Sequence, residues 1–220
     1  MKRSGLRAVV SAGPTYEDLD PVRFIGNRSS GKMGFALAAA AARRGVDTVL
    51  VAGPVHLATP AGVQRIDVRS AAQMHDAVLA ALPADVYIGA AAVADWTPRE
   101  VSPSKLKKTE GRDALALELV RTRDVLADVA AHASRPRLVV GFAAETQDVT
   151  RYARDKLVRK RVDLIAANRV GIAGSGFESD DNMLEVHWRD GENFASRTLG
   201  PAPKTQLAEA LLDLIEERLS

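Results

Sequence analysis

The stretch from Asp20 to Gly34, DPVRFIGNRSSGKMG, constrains the fold more than any other part of the chain. It lies between an apolar run at 7–12, which predicts a first strand, and an alanine-rich run at 31–44, which predicts a first helix. Backbone amides therefore gather at a helix N-terminus, where unpaired N–H groups and the helix dipole favour an anion. A plain connection needs no such density of donors, so the stretch predicts a phosphate-binding loop. The donor side chains packed into ten of its residues include Arg23, Asn27, Ser29, Ser30 and Lys32.

The rest of the chain alternates predicted strands with predicted helices, which favours an α/β, Rossmann-like, three-layer fold with a mostly parallel sheet. Gly45 predicts a left-handed cap after the first helix, and Ser70 predicts the N-cap of the second. An antiparallel hairpin is predicted around Asp190 and Gly191. Strands are predicted at 7–12, 48–52, 64–68, 86–92, 137–143, 162–168, 183–187 and 193–196, and helices at 31–44, 70–82, 122–132 or 124–132, 149–161 and 204–219.

The alternation breaks between Asp95 and Leu119. This segment contains an isolated strand-like run at 114–119 and a basic run at 105–108. A crossover this long that carries strand-like pieces is typical of a flap or of an arm that pairs with another subunit. We favour the arm, within one domain that covers residues 1–220.

Composition bounds the possible functions. The chain has 220 residues, 46% of them hydrophobic, which is enough for one substantial core. It contains no cysteine, so disulfide frameworks and thiolate metal sites are excluded, and a reducing compartment is expected. We find no signal peptide and no segment long enough to span a bilayer, so a cytoplasmic protein is expected.

The net charge of +2 does not indicate a nucleic-acid binder. The histidines are dispersed, and we interpret them as surface or packing residues: His56, His75, His132 and His187.

Lysine clusters suggest that the protein handles a polyanion. Lys156 and Lys160 lie four residues apart on one face of a predicted helix, together with Tyr152. A second cluster, Lys105 to Lys108, lies in the segment that breaks the alternation. Near a triphosphate, ammonium groups would offset the negative charge that develops as pyrophosphate departs.

Two other functions stay open at this point. An NADPH-dependent or nucleotide-sugar reductase would suit the alternating pattern, although the turn at Gly13 lacks the spaced glycines of the dinucleotide fingerprint. The second strand is followed by Gly53-Pro54, so it lacks the acidic residue that would bind the ribose 2′-hydroxyl of NAD. A Walker loop is excluded because Met33 occupies the position of the hydroxyl that would bind magnesium. The second alternative is a non-catalytic nucleic-acid-binding module that uses the lysines at 105–108.

Six motifs in register carry a resemblance to a known family, and they span nearly the whole chain. The chain resembles bacterial phosphopantothenoylcysteine synthetase, the CTP-dependent ligase half of the bifunctional coenzyme A biosynthesis protein. The motifs are AGPT at 12–15, DPVR with NRSSGKMG at 20–34, AAVADW at 91–96, KLKK at 105–108, GFAAET at 141–146 and Ala167-Asn168. The decarboxylase half that precedes such ligases is absent here, so we expect a free-standing ligase or an excised domain.

The resemblance implies a ligation in two steps. The carboxylate of 4′-phosphopantothenate attacks the α-phosphate of CTP, which releases pyrophosphate, and the amine of L-cysteine then displaces CMP from the acyl-cytidylate. Mg²⁺ is the expected cofactor, bridged by the triphosphate, and Asp95 is the candidate protein ligand. The resemblance also implies a homodimer, with Lys105 in a mobile flap, and a decarboxylase domain as a further partner. Neither a nucleic acid nor a membrane is an expected partner.

The same resemblance assigns site residues. Asn27 matches a residue that contacts the acyl-cytidylate carbonyl, Arg23 matches a neighbour tied to the same half-reaction, and Lys105 matches a residue of the first step. These three are the expected catalytic residues. The expected CTP-binding residues are Gly89, Ala90, Ala91, Asp95, Lys105, Arg123, Asp124, Val125, Leu126, Phe142, Lys156 and Lys160, and the expected phosphate or substrate loop comprises Gly13, Thr15, Ser29, Ser30, Gly31 and Lys32.

Overall fold

The structure is a computed structural model that describes residues 5–107, 114–145, 147–169 and 181–219. The sequence also predicts a loop at 171–182, and its residues 171–180 lie outside the described residues, as do Lys108 and Thr146. In chain order the elements are β1 (Arg7–Ala12), β2 (Tyr16–Asp18), β3 (Phe24–Gly26), α1 (Lys32–Arg43), β4 (Asp47–Ala52), β5 (Val63–Asp67), α2 (Ala71–Ala80), β6 (Val86–Gly89), β7 (Trp96–Pro98), β8 (Leu119–Arg121), α3 (Val125–Ala131), β9 (Leu138–Glu145), α4 (Val149–Lys160), β10 (Leu164–Arg169), β11 (Asp181–Asp190), β12 (Asn193–Pro203) and α5 (Lys204–Leu219).

The described strands form one main sheet with the order β12-β11-β10-β9-β6-β1-β4-β5. The strands from β10 to β5 are parallel to their neighbours, whereas β11 and β12 add to the edge in antiparallel fashion. Side chains of the inner parallel strands are buried on both faces, as continuous apolar runs predict, whereas the edge strand β5 has no fully buried side chain. Val10 and Leu50 pack on the face with α1 and α5, and Val9 and Val51 pack on the face with α2, α3 and α4. The predicted α/β fold with a mostly parallel sheet is confirmed.

Helices α1 and α5 are parallel neighbours. At the C-terminal end of α1, Arg44 pairs with Glu209, Asp213 and Glu216 of α5 at 2.7–3.0 Å. Burial would lower the pKa of Arg44, but its hydrogen bonds to these carboxylates raise the pKa further above its usual range. The first residues of the two helices, at the opposite end, therefore come together at the same edge of the sheet.

Local rules explain most element boundaries. Gly45 has φ +80°, which confirms the predicted left-handed cap after α1. Ser70 caps α2 in a capping box with Gln73, as predicted. The predicted hairpin turn is present, with Gly191 at φ +61°, although both strands are longer than predicted. They are longer because β11 pairs with β10 and so continues the main sheet.

Two other predicted strands are shorter in the structure. The run at 114–119 was predicted as a strand, but only Leu119 belongs to one, in the short β8 that pairs with β7. Leu115 and Leu117 are 61% and 41% exposed, so in the isolated chain they pack against no sheet that would order a longer strand. Strand β6 ends at Gly89 rather than at residue 92, because its pairing with β9 stops where Gly89 lies opposite Gly141. The chain beyond it stays beside the end of β1, where the Ala92 N–H donates to the Gly13 carbonyl oxygen at 2.9 Å. Within the described ranges, no helix has both the length and the apolar character needed to cross a bilayer.

Candidate functional site

A two-lobed cleft lies where the parallel strands β6, β9 and β10 reach their carboxyl ends. This is the edge at which open α/β sheets bind ligands. The α1/α5 lobe, of about 450 Å³, is bordered by the segment from Asn27 to Gly34 and by Lys204. The α3/α4 lobe, of about 680 Å³, is bordered by the segment from Thr122 to Ala127 and by Lys160. Both volumes suit small-molecule ligands. The two lobes share Ala91, Val93, Asp95, Phe142 and Lys156.

The N-terminus of α1 opens onto the first lobe. Its N-cap, Gly31, has φ +73°, and among the described residues no side chain caps the helix. The Gly31 N–H donates to the Ser29 hydroxyl oxygen at 3.3 Å, so the preceding loop folds close to the helix end. Ser29, Ser30, Gly31 and Lys32 all line this lobe. The loop therefore presents amides and a positive helix end to the cleft, which is the chemistry that binds phosphate.

Asn27 fastens the loop to the segment after β6. Its Nδ2 donates to the carbonyl oxygens of Val93 at 3.0 Å and Ala92 at 3.3 Å. Thr15 holds the same segment, because the hydroxyl oxygen of this fully buried residue accepts a hydrogen bond from the Ala94 N–H at 2.9 Å. Gly13 and Thr15 were predicted in the substrate loop, yet neither is among the residues that line the described cleft. Gly13 and Thr15 instead accept hydrogen bonds from the segment after β6, which forms the floor of the cleft.

The second lobe brings both predicted lysines of α4 together with the start of α3. Lys160 forms an ion pair with Asp124, whose other oxygen caps α3 by accepting from the Ala127 N–H at 3.1 Å. Burial lowers the pKa of Lys160, and the nearby Asp95 carboxylate opposes that shift. Lys156 donates to the Phe142 carbonyl oxygen at 2.6 Å.

Most of the predicted CTP-binding residues line this second lobe. Ala90 lines the first lobe instead. The residues in the second lobe are Gly89, Ala91, Asp95, Arg123, Asp124, Val125, Leu126, Phe142, Lys156 and Lys160.

Sequence reasoning missed several polar residues of the cleft. Tyr87 and Ser11 line the second lobe, with their hydroxyl oxygens 3.0 Å apart. Burial raises the pKa of Tyr87 to about 12, although the bond to Ser11 acts in the opposite direction. In the first lobe, Asn182 and Lys204 were missed because they belong to a predicted loop and a predicted closing helix. Asn168 appeared in a motif but received no role.

Arg23 and Lys105 are not among the residues that line the described cleft. Arg23 binds the buried Asp20 carboxylate at 2.6 Å and also donates to the Leu106 carbonyl oxygen at 2.6 Å. The Leu106 N–H donates to Asp20 at 3.0 Å, and the neighbouring Lys105 side chain is exposed. Burial would raise the pKa of Asp20, but hydrogen bonds from Arg23 and from the backbone N–H groups of Leu106, Val22 and Arg23 lower it well below its usual range. Asp20 thus anchors the Lys105 segment.

Asp95 fits the expected magnesium chemistry. It is an exposed carboxylate shared by both lobes. Within the described residues, no group of three or more histidine, cysteine, aspartate or glutamate side chains is placed to hold a metal ion. One carboxylate is enough when phosphate oxygens supply the remaining ligands, as is common for Mg²⁺. The histidines are accounted for otherwise, since His187 is buried and His75 bonds Asp128 at 2.9 Å.

Comparison with known proteins shows the family. The DFP family, described as the DNA/pantothenate metabolism flavoprotein C-terminal domain, matches residues 3–219. This chain belongs to the DFP family. The chain is 52% identical over 216 residues to the coenzyme A biosynthesis bifunctional protein CoaBC of Vibrio cholerae, covering 98% of this chain and 53% of that protein. It is 49% identical to CoaBC of Escherichia coli K12, covering 97% and 52%. The chain therefore spans about half the length of these relatives, and the resemblance drawn from its motifs is confirmed.

Solved structures agree with this family assignment. The C-terminal domain of a CoaBC protein is 36% identical with a TM-score of 0.81, covering 98% of this chain and 96% of that one. A Cab2 mutant, solved in complex with phosphopantothenate-cysteine, has a TM-score of 0.77 at 15% identity, covering 97% of this chain and 86% of that one. At that identity the likeness shows the fold alone.

The Asp20 anchor makes a testable prediction. In Asp20→Asn, amide hydrogen exchange at Leu106 should rise several-fold, because a neutral amide binds the Arg23 guanidinium more weakly than a carboxylate does. Because folding lowers the pKa of Asp20, its contribution should be complete above an unfolded pKa of about 3.9 and should be lost as the pH falls below that value. Exchange measured by mass spectrometry at pH 7 tests the substitution.

Asp18→Asn is the matched control, since Asp18 pairs with Arg69 at 2.6 Å and not with the Lys105 segment. Unchanged exchange at Leu106 in Asp20→Asn, or an equal rise in the control, would contradict the anchoring role.

Proposed function

We propose that this chain is a phosphopantothenate–cysteine ligase, which joins 4′-phosphopantothenate to L-cysteine at the expense of CTP in coenzyme A biosynthesis. The observation that carries the proposal is the cleft itself. Its two lobes lie on opposite faces of one sheet edge and meet at Asp95, Phe142 and Lys156. Two anionic substrates can thus enter separately and meet at one place. Membership of the DFP family, with CoaBC relatives at 49–52% identity, supports this reading.

The chemistry requires activation of the acid. An oxygen of the carboxylate attacks the α-phosphorus of CTP, and the bond to the β-phosphate oxygen breaks to release pyrophosphate. The cysteine amine then attacks the carbonyl carbon of the mixed anhydride, loses a proton, and expels CMP together with the former carboxylate oxygen. A free carboxylate would have to expel oxide, which is a very poor leaving group. Holding the anhydride in a closed cleft adds proximity and keeps water away.

We assign the nucleotide to the α3/α4 lobe. Lys156 and Lys160 project from one face of α4 into this lobe, and Phe142 lies between the two lobes. A phosphate that replaces Asp124 as the partner of Lys160 would gain a charge-assisted bond in a partly buried site. Asp95 and the phosphate oxygens would hold magnesium, which neutralises charge on the departing pyrophosphate when bound. The mixed anhydride would form beside Asn27.

Asn27 needs to exchange one bond to act as predicted. Its amide has two N–H donors, and the Ala92 and Val93 carbonyl oxygens accept both. We propose that the longer bond, 3.3 Å to Ala92, is given up to the oxyanion that forms when the amine attacks. The shorter bond to Val93 would keep the side chain in place.

The segment from 95 to 119 is proposed as a homodimer arm. Val101, Leu115 and Leu117 are 55%, 61% and 41% exposed, which is unusual for apolar side chains unless another surface covers them. Dimerisation would also explain why Arg23 and Lys105 lie outside the cleft of a single chain, since a partner subunit can supply them. We further propose cytoplasmic location and, because the CoaBC relatives are about twice as long, a decarboxylase domain as partner.

The proposed function predicts that pyrophosphate release depends on the acid substrate and on CTP. Incubation with CTP, 4′-phosphopantothenate, magnesium and cysteine should release pyrophosphate only when the acid is present, and ATP should replace CTP poorly. Chromatography of the nucleotides together with mass spectrometry of the amide product tests this. Pyrophosphate release that ignores the acid would overturn the proposal, as would acid-independent oxidation of NADPH.

Asn27→Asp should separate the two steps. The first turnover should still release about one equivalent of pyrophosphate, whereas amide formation should fall by about 10²- to 10³-fold, because a carboxylate cannot donate to an oxyanion. Rapid-quench analysis of pyrophosphate and amide measures both steps. Asn193→Asp, an exposed position in the β11–β12 turn, is the matched control. Amide formation at the normal rate in Asn27→Asp would contradict the role of Asn27.

A further inference from the structure

The β2–β3 hairpin, which leads into the loop before α1, is held against the start of α2. The Tyr16 N–H donates to the Arg69 carbonyl oxygen at 2.7 Å. The buried Glu17 carboxylate accepts from the Ala71 N–H at 2.8 Å. The Arg69 guanidinium binds both oxygens of Asp18, at 2.6 and 3.0 Å. Strand β2 is therefore held at three successive residues, which gives the hairpin a fixed position on the fold.

An aromatic stack covers one face of this hairpin. The rings of Tyr16 and Phe24 lie nearly parallel, with their centroids 3.9 Å apart and their planes inclined by 21°. The Arg69 guanidinium lies 5.6 Å from the Tyr16 ring centroid and 5.5 Å from that of Phe24, within the range of cation–π attraction. Because Asp18 binds the same guanidinium, the Tyr16 ring has little freedom to move.

The Tyr16 ring lies directly against the last residue of β3. Tyr16 and Gly26 are paired across the hairpin. A Cβ atom on Gly26 would lie 2.7 Å from Cδ1 of the Tyr16 ring, which is closer than non-bonded carbon atoms approach each other. The ring therefore occupies the space beside Gly26 and limits the movement of the backbone to which Asn27 is attached.

Asn27 depends on this backbone when it acts on the oxyanion. Its side chain bonds the carbonyl oxygens of Ala92 and Val93, and the proposed exchange of the Ala92 bond leaves only the Val93 bond. A cavity of about 310 Å³ lies between the aromatic stack and residues 27–30, so open space faces the loop beyond Gly26. The position of the amide then depends on Gly26, and an error of about 1 Å in placing a catalytic group can cost about 10²-fold in rate.

We propose that Tyr16 is a positioning residue for amide formation, because its ring fixes Gly26 and thereby keeps the Asn27 amide where the oxyanion develops. Phe24 and Arg69 hold the ring in place. Tyr16 belongs to none of the six motifs and is not among the residues that line either lobe of the described cleft. The inference rests on the proposed function, and it places the effect of Tyr16 in the second step, where Asn27 acts.

Single-turnover kinetics test this proposal. In Tyr16→Leu, which removes the flat ring but keeps an apolar side chain, amide formation should fall by about tenfold. First-turnover release of pyrophosphate should stay within about twofold of the wild-type rate. Tyr16→Phe should restore amide formation, because the stack needs the ring and not the hydroxyl. Gly26→Ala is a second variant, should the leucine variant fail to fold; its methyl group would displace the ring and should give the same separation of the two steps.

A double-mutant cycle shows whether Tyr16 acts through Asn27. In Asn27→Asp the donor to the oxyanion is already lost, so the addition of Tyr16→Leu should change amide formation by less than about twofold. Tyr152→Leu is the matched control. The Tyr152 ring also lies beside an arginine, Arg151 at 5.9 Å, but it belongs to α4 and lines neither lobe of the described cleft. Both steps should keep their rates in this control.

An equal fall of both steps in Tyr16→Leu would overturn the proposal, because it would indicate a general loss of structure. Losses that multiply in the double variant would also overturn it, since Tyr16 would then act independently of Asn27. Wild-type protein without acid-dependent release of pyrophosphate would instead refute the proposed function, and this inference with it.

Discussion

The hydrogen bonds that hold the segment after β6 against the end of β1 are the constraint on which the site depends. Gly13 accepts from the Ala92 N–H at 2.9 Å, and Thr15 accepts from the Ala94 N–H at 2.9 Å. These bonds keep the segment beside the end of β1 after its pairing with β9 has stopped at Gly89. The segment that results is the floor shared by both lobes, and Asn27 closes over it. Loss of this connection would separate the phosphate loop from the rest of the cleft.

The two lobes can reduce the electrostatic repulsion between the two anionic substrates of the proposed reaction. A carboxylate with a phosphate tail must approach a nucleotide triphosphate, and like charges repel strongly in a partly desolvated site. Here the positive groups are divided between the two lobes, with Lys32 and Lys204 in one lobe and Lys160 in the other, and Lys156 lines the part that both lobes share. Each anion can be neutralised in its own lobe before the two reacting groups meet. Asp95 lies between the lobes, where a cation would bridge them.

Much of this arrangement was predictable from the sequence, because it depends on local rules. The helix N-terminus at Gly31 and the lysine face of α4 follow from spacing, and the order of parallel strands brings them to one edge. The positions of Asn182 and Lys204 in the α1/α5 lobe were not predictable, because they depend on β11 joining the sheet and on α5 packing parallel to α1. The strand predicted at 114–119 was wrong, because alternating leucines specify a strand only when a partner covers them. The Asp20 anchor was missed because its partner, Leu106, is distant in the sequence.

We propose that the acid is activated when its carboxylate oxygen is transferred directly to the α-phosphorus of CTP. An isotope label follows this oxygen: 4′-phosphopantothenate that carries ¹⁸O in both carboxylate oxygens is turned over with CTP, magnesium and cysteine, and the products are analysed by mass spectrometry. Direct transfer should place one ¹⁸O in CMP, one in the amide product and none in pyrophosphate. Label in pyrophosphate, or CMP without label, would contradict it.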